Sequence, residues 1–175
     1  MSQTLTEVSS TRSRTADVAG QLAIIVGASL VVAMFARIYL PIPGNPVPLT
    51  VQNLAVLLVG LSLGSKRGFA ALALYLVEGV SGLPVFSPTG PGGFAQLIGP
   101  TGGYLLAYPF VAALAGYIYE RGRQSFARAA IAATLGEMLL FACGISWLYI
   151  LTHSIARAIS FGLYWFVFAE VIKVL

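Results

Sequence analysis

The chain has 175 residues, of which 58% are hydrophobic and 9% are charged, with a formal net charge of +4. Because a soluble domain carries roughly 25% charged residues, this composition predicts an integral membrane protein, and the length suits one compact bundle. The positive charge does not indicate nucleic acid binding, since the basic residues stand near the ends of apolar segments rather than in one patch. Residues 1–17 are expected to form a polar tail ahead of a membrane domain, residues 18–175.

Six apolar segments follow in chain order, separated by glycine, proline or charged residues. The first, about 18–40, is long enough to span a membrane and lacks a clear cleavage pattern, so a cleaved signal peptide is not expected. The others are predicted at about 50–63, 68–80, 104–119, 127–151 and 159–175. The last would reach only ~25 Å at 1.5 Å per residue, which leaves open whether this helix is complete at Leu175. The pattern predicts an all-α bundle of six transmembrane helices.

The basic residues orient this bundle. One side of a six-pass arrangement carries Arg12, Arg14, Lys66, Arg67, Arg121, Arg123 and Arg128. The opposite loops, 41–49 and 81–102, hold no lysine or arginine, and the third holds only Arg157. By the positive-inside rule, the N-terminus is predicted to be cytoplasmic and the uncharged loops to face outward.

The longest uncharged loop is GVSGLPVFSPTGPGGFAQLIGPTGGY, residues 79–104. Its glycine and proline content argues against a helix. Irregular backbone at membrane depth is tolerated only where it lines a cavity or is buried in protein, because bare N–H and C=O groups cannot face lipid. The sequence therefore predicts a loop that encloses a small ligand and opens away from the cytoplasm, a geometry that suits uptake.

Two ionisable residues near the end of the chain, Glu170 and Lys173, are three apart and would share one face of a helix. Ionisable groups in an apolar segment usually point into a cavity or pair with each other. One interpretation is a polar clamp, in which the carboxylate accepts from a ligand N–H and the ammonium donates to a ligand oxygen. The other is a structural ion pair, or an exposed terminus at which Lys173 reaches the interface.

Neutral and aromatic residues supply further candidates. Gln52 and Asn53 open the second segment, where an amide could bind a neutral polar ligand or satisfy free backbone N–H groups at the helix start. Four aromatic residues could stack on a ligand ring: Tyr75, Phe86, Phe94 and Tyr104.

Small residues recur every fourth position on one face of the first segment, at Ala19, Ala23 and Gly27. Such faces let membrane helices approach closely. The face could pack inside this bundle or dock another membrane subunit.

An enzyme would have few candidate groups in this chain. One histidine, one cysteine and no H-E-x-x-H motif argue against a metalloprotease, and no metal site is expected. Glu137, deep in the fifth segment, is the best of the isolated charges for an internal polar contact. For an intramembrane enzyme, Glu137 or His153 would be the only plausible proton carriers, whereas a channel would require ligand-independent conductance.

The chain carries PVPLTVQN (46–53), GVSGLPVFS (79–87), GGFAQLIGPTGGYL (92–105) and a late E-x-x-K. This order resembles the BioY family, the biotin-binding membrane subunits (S-components) of energy-coupling factor (ECF) transporters. The resemblance implies six helices and an outward-facing biotin pocket capped by the loops between helices 1 and 2 and between helices 3 and 4. It also implies a protein of a bacterial-type plasma membrane that is neither an enzyme nor an ATPase, has no cofactor, and works with a transmembrane coupling subunit and two ATPase subunits.

Site residues follow from the same resemblance. Glu170 would accept from a ureido N–H of biotin, Lys173 would donate to the ureido carbonyl or the carboxylate, and Gln52 or Asn53 would add a neutral hydrogen bond. The aromatic residues expected on the apolar rings are Phe86, Tyr104 and Tyr75. The residues expected to meet the coupling subunit are Ala19, Ala23 and Gly27. The family's last helix usually opens with Pro-Gly-Asp-x-x-Lys, whereas this chain reads FAEVIK at 168–173, and an S-component for another vitamin is the alternative.

Overall fold

The computed structural model describes residues 2–164 and residue 166, with side chains placed from residue 17 onward. The predicted clamp residues Glu170 and Lys173 lie outside the described residues. The elements in chain order are α1 (Ser2–Phe35), β1 (Tyr39–Leu40), β2 (Leu49–Thr50), α2 (Gln52–Val80), α3 (Gly93–Ile98), α4 (Gly102–Glu120), α5 (Phe126–Thr152), α6 (Ile155–Ile159) and a π-helical turn (Ser160–Tyr164).

Four helical stretches of the described chain are long and apolar enough to cross a membrane: Asp17–Phe35, α2, α4 and α5. The second of these, α2, is divided by a sharp break at Gly64 into two arms, and the shorter apolar stretch Ile155–Tyr164 adds another segment. The described residues thus form six membrane helical segments. The predicted all-α bundle is confirmed.

The break in α2 depends on glycine. Gly64 has φ +79° and ψ 178°, a conformation that side chains disfavour. The two arms then run close together, since a Cβ added at Gly68 would lie 3.2 Å from the Cα of Gly60. Helix α4 presses on the same turn, because a Cβ at Gly116 would lie 2.5 Å from the carbonyl carbon of Gly64. The sequence correctly separated these arms, although the reversal takes one residue rather than the predicted loop of about four.

The first helix ends earlier than predicted. It stops at Phe35 instead of residue 40, and the chain then forms the short strand β1, which pairs antiparallel with β2. Tyr39 lies opposite Thr50, and Leu40 lies opposite Leu49. The apolar residues 38–40 had the composition of a helix end, but the prolines that follow favour an extended approach to a turn. The predicted irregular loop 41–49 is therefore the tip of a β-hairpin, here called the β1–β2 hairpin (residues 39–50).

The long loop is also more ordered than its composition suggested. It contains the six-residue helix α3, so the prediction that residues 79–104 exclude helix was wrong for this part. The φ values of Gly92 and Gly93 are +72° and +57°, and these left-handed conformations turn the chain into α3. The residues that follow, FAQLI, hold neither glycine nor proline and can complete a single turn.

Helices α4 (Gly102–Glu120) and α5 (Phe126–Thr152) begin and end within two residues of their predicted bounds. The last segment begins at Ile155, four residues before its predicted start at 159. The core lies between α2, α4 and α5, where Leu72, Tyr75, Val111 and Leu148 are no more than 1% exposed. Helix α1 sits at the edge, because only 11% of its membrane-spanning stretch is buried within the bundle. The bundle is therefore built around α2 and α4. The site lies at the ends of these helices that meet the hairpin and the long loop.

Candidate ligand-binding site

A cavity opens where the β1–β2 hairpin, the long loop and the ends of α2, α4 and α5 meet. The space between atoms here is about 530 Å³ when the open mouth is counted. The polar residues that line it are Thr50, Gln52, Asn53, Ser87, Gln96, Thr101, Tyr104 and Tyr108. The apolar residues that line it are Val47, Pro48, Leu105, Leu140, Phe141 and Phe166. Every lining residue in the described part of the chain is uncharged.

Gln52 borders this cavity at the start of α2 and is 2% exposed. Its Nε2 donates to the Tyr75 hydroxyl at 2.7 Å, and that hydroxyl donates to the carbonyl oxygen of Val85 at 3.1 Å. The residue that caps α2, Val51, makes no side-chain cap hydrogen bond. The Gln52 amide is therefore tied to the second arm of α2 and to the long loop.

Asn53 borders the cavity beside Gln52. Its Nδ2 lies 3.3 Å from Oε1 and 3.4 Å from Oε2 of Glu137, which is 6% exposed on α5. Because a carboxyl oxygen accepts from an amide N–H, the NH₂ end of the Asn53 amide faces Glu137 in this contact. The orientation of a cavity-lining amide is thereby fixed, and the predicted internal polar contact of Glu137 is confirmed.

An aromatic wall forms one side of the cavity. Tyr104 and Phe166 stack with ring centroids 6.4 Å apart and an interplanar angle of 21°. Phe141 meets both rings edge-on, at 6.4 Å and 6.2 Å. The Tyr104 hydroxyl donates to the carbonyl oxygen of Gly162 at 2.9 Å. This wall offers flat apolar surface to a ring. Tyr104 borders the cavity, and its contact with a ligand stays a prediction.

The other two predicted aromatic residues stand one layer behind the cavity. The rings of Tyr75 and Phe86 meet edge-on at 5.4 Å, and neither borders the cavity. Phe86 fills the space left by Gly79, where an added Cβ would lie 2.0 Å from its Cζ. Both residues support the walls in this arrangement, and direct ligand contact by either one stays a prediction. Phe94, also considered for stacking, is 61% exposed on α3.

Gln96 lines the cavity but was missed in the sequence. It is 1% exposed, its Oε1 accepts from the backbone N–H of Gly92 at 3.1 Å, and its Nε2 donates to the carbonyl oxygen of Ser87 at 3.3 Å. Gly90 makes room for it, because a Cβ there would lie 2.7 Å from its Cδ. Gln96 holds the long loop in shape from inside. The sequence did contain a signal for this residue, since Gln96 is the one polar side chain of α3.

The small-residue face of α1 is open. Ala19, Ala23 and Gly27 are all exposed, and a Cβ added at Gly27 would meet no atom within 4 Å. This face therefore does not pack against the described part of the bundle. Docking of another subunit there stays a prediction.

The candidates for other chemistry lie apart. His153 caps the C-terminal end of α5 in a left-handed conformation, with its N–H bonded to the Tyr149 carbonyl oxygen. Across the described residues, no group of three or more His, Cys, Asp or Glu could hold a metal ion. The polar groups that converge on the cavity are amides and hydroxyls, which suit recognition of a neutral polar group.

Known proteins are similar to this chain in sequence. The sequence profile of the BioY family matches residues 3–175. The biotin transporter BioY of Thermotoga maritima is 38% identical over 135 residues, which cover 77% of this chain and 79% of that protein. The biotin transporter BioY2 of Lactococcus lactis subsp. cremoris is 35% identical over 153 residues, which cover 87% of this chain and 82% of that protein.

A solved structure agrees with the sequence relatives. The S-component for biotin from an ECF-type ABC transporter matches with a TM-score of 0.81 and 25% identity. The match covers 91% of this chain and 87% of that one.

Proposed function

The chain belongs to the BioY family, and we propose that it is a high-affinity biotin-binding membrane subunit, the S-component of an ECF transporter. Its relatives are named as biotin transporters, and its structural neighbour is described as an S-component for biotin. The role proposed for this chain is to capture the vitamin and hold it for uptake.

The observation that carries the proposal is the combination of oriented amides and an aromatic wall in one small cavity. Biotin has a ureido ring with two N–H donors and one carbonyl acceptor, a thioether ring and a flexible acid tail. Gln52, Asn53 and Gln96 bring neutral hydrogen-bonding groups to the cavity, and such groups suit the ureido ring. Tyr104 and Phe141 bring apolar surface, which suits the thioether ring.

The described walls carry no charge, and biotin carries a carboxylate. Within this proposal Lys173 donates to the ureido carbonyl or to the carboxylate, and Glu170 accepts from a ureido N–H. A charge-assisted hydrogen bond is about twice as strong as a neutral one, so the two residues would dominate affinity. Glu replaces the shorter Asp of the family at this spacing, and the extra methylene keeps the same acceptor chemistry.

The rest of the proposal concerns assembly. The N-terminus lies in the cytoplasm, and the two loops that border the cavity face outward. The exposed face of Ala19, Ala23 and Gly27 meets the transmembrane coupling subunit, and two ATPase subunits supply the energy. The chain itself performs no catalysis, and Glu137, the best proton carrier for a rival enzyme, serves to orient Asn53.

Substrate identity is tested by displacement. Labelled biotin is bound to the detergent-solubilised protein and then challenged with biotin, desthiobiotin, thiamine or riboflavin. We expect displacement by biotin and, more weakly, by desthiobiotin, which keeps the ureido ring and lacks the thioether. Displacement by thiamine or riboflavin at similar concentrations would show a different vitamin specificity.

A further inference from the structure

The β1–β2 hairpin forms part of the roof of the cavity. Val47 and Pro48 are buried and line the cavity from above. The hairpin is held at its base by two short strands and by one further bond, from Val51 N to the carbonyl oxygen of Ile38 at 3.1 Å. Its tip, PIPGNPVP, contains four prolines, and proline restricts the backbone. The tip is therefore stiff, and its position over the cavity depends on its contacts with elements outside the hairpin.

One side chain makes that contact. The Nδ2 of Asn45 donates to the carbonyl oxygen of Phe161 at 3.0 Å, across 116 positions of sequence. The Oδ1 of the same amide accepts from the backbone N–H of Val47 at 2.9 Å. A carbonyl oxygen can only accept and a backbone N–H can only donate, so both ends of the amide are assigned by their partners. Asn45 folds the tip onto the cavity and ties it to the last segment.

The acceptor lies in an irregular part of the last segment. Phe161 lies in the π-helical turn Ser160–Tyr164, and the N–H of Phe166 donates to Leu163 rather than back to Phe161. The next carbonyl oxygen, that of Gly162, accepts the Tyr104 hydroxyl. Two consecutive carbonyls thus receive donors from the roof and from the aromatic wall. Such π-turns often occur at functional sites.

We propose that Asn45 is the positioning residue that latches the β1–β2 hairpin to the π-helical turn and so controls entry to and exit from the cavity. The inference deepens the proposed function and rests on it. The latch joins two protein groups and no ligand atom, so it stabilises the closed roof whether the cavity is empty or loaded. Breaking it speeds association and dissociation of biotin together.

Three substitutions of Asn45 test its bond to Phe161 separately from its local bond to Val47. Asn45→Asp keeps an oxygen that accepts from Val47 N–H, but it replaces the donor to Phe161 with an acceptor. Asn45→Ser also keeps a local acceptor, is neutral, and is too short to reach Phe161. Asn45→Ala removes both bonds. Comparing Asp with Ser separates the loss of the donor from the added charge.

Stopped-flow association and chase dissociation with fluorescent biotin give the two rates. We expect Asn45→Asp and Asn45→Ser to raise both rates by roughly three- to tenfold, the range of one net hydrogen bond, with the dissociation constant changed less than about threefold. Unchanged rates would overturn the proposal. A loss of affinity through dissociation alone would also overturn it, because that result marks a residue that shapes the bound site.

A second measurement needs no ligand. Val47→Cys in a Cys143→Ala background places the single thiol under the roof, at a position 4% exposed. We expect maleimide labelling of this thiol to accelerate several-fold when Asn45→Asp is added. Equal labelling rates with and without Asn45→Asp would contradict the latch. Failure of the parent protein to bind biotin would contradict the proposed function alone.

Discussion

The amide nitrogen of Asn53 lies 3.3 and 3.4 Å from the two carboxylate oxygens of Glu137, a residue 84 positions later on α5. Asn53 borders the cavity, whereas Glu137 does not. A buried carboxylate behind a cavity-lining amide decides which end of that amide is held by the protein. Under the proposed function, Glu137 therefore supports ligand recognition through Asn53, without contact to the ligand.

The first prediction concerns this pair. Glu137→Gln removes the acceptor-only partner, so the Asn53 amide can rotate and its orientation is lost. We expect biotin affinity to fall roughly tenfold, about the effect of one misplaced buried hydrogen bond, while the protein remains folded. Calorimetry gives the affinity, and size-exclusion chromatography confirms the folded state.

A matched variant sharpens that test. Asn53→Asp sets two carboxylates against each other at the same distance, and we expect a larger loss than for Glu137→Gln. If both variants bind biotin like the parent protein, the pair has no part in recognition.

The second prediction concerns Gln96, which holds the long loop through Ser87 and Gly92. Gln96→Glu keeps the acceptor for Gly92 N–H and removes the donor to the Ser87 carbonyl oxygen. We expect affinity for biotin to fall about three- to tenfold, because one wall of the cavity loses its internal support. Labelled-biotin binding measures the effect. The exposed neighbour Ala95 provides a control as Ala95→Ser, and an equal loss in both variants would contradict the assignment.

The third prediction concerns the last segment. Glu170→Ala and Lys173→Ala are each expected to weaken biotin binding more than tenfold without loss of the folded protein, because a ligand group would be left without its charged partner at ~1–3 kcal/mol. Equilibrium binding to each purified variant measures this. Parental affinity in both variants would remove the clamp from the account.

The fourth prediction concerns the open face of α1. Gly27→Leu and Ala23→Leu fill the small-residue face and should prevent close approach of the coupling subunit. Because neither residue borders the cavity, biotin binding should be unchanged. Co-purification with the co-expressed coupling subunit measures assembly. The control Gln21→Trp adds bulk on the opposite side of the helix, and loss of assembly in this control as well would show that the face is not specific.

Some of this architecture was readable in the sequence. The bounds of α4 and α5 followed from long apolar runs, and the break at Gly64 followed from a glycine ahead of two basic residues. The inward position of Glu137 was predictable because an ionisable group inside a membrane segment must find a polar partner.

Other features depend on contacts that the sequence pattern does not contain. Strand β1 is two residues long and follows an apolar helix without a change in composition, so its pairing with β2 could not be read from periodicity. The position of Tyr75 could not be read from the sequence for a similar reason. Its hydroxyl is engaged by Gln52 and Val85, which places the ring behind the cavity, and only the fold brings these residues together.

The central claim is most directly tested by calorimetric titration of the purified, detergent-solubilised protein with biotin. The account predicts saturable binding of one biotin per chain in the nanomolar range, with no heat of binding for thiamine or riboflavin under the same conditions. A folded sample that shows no biotin binding would contradict the proposed function.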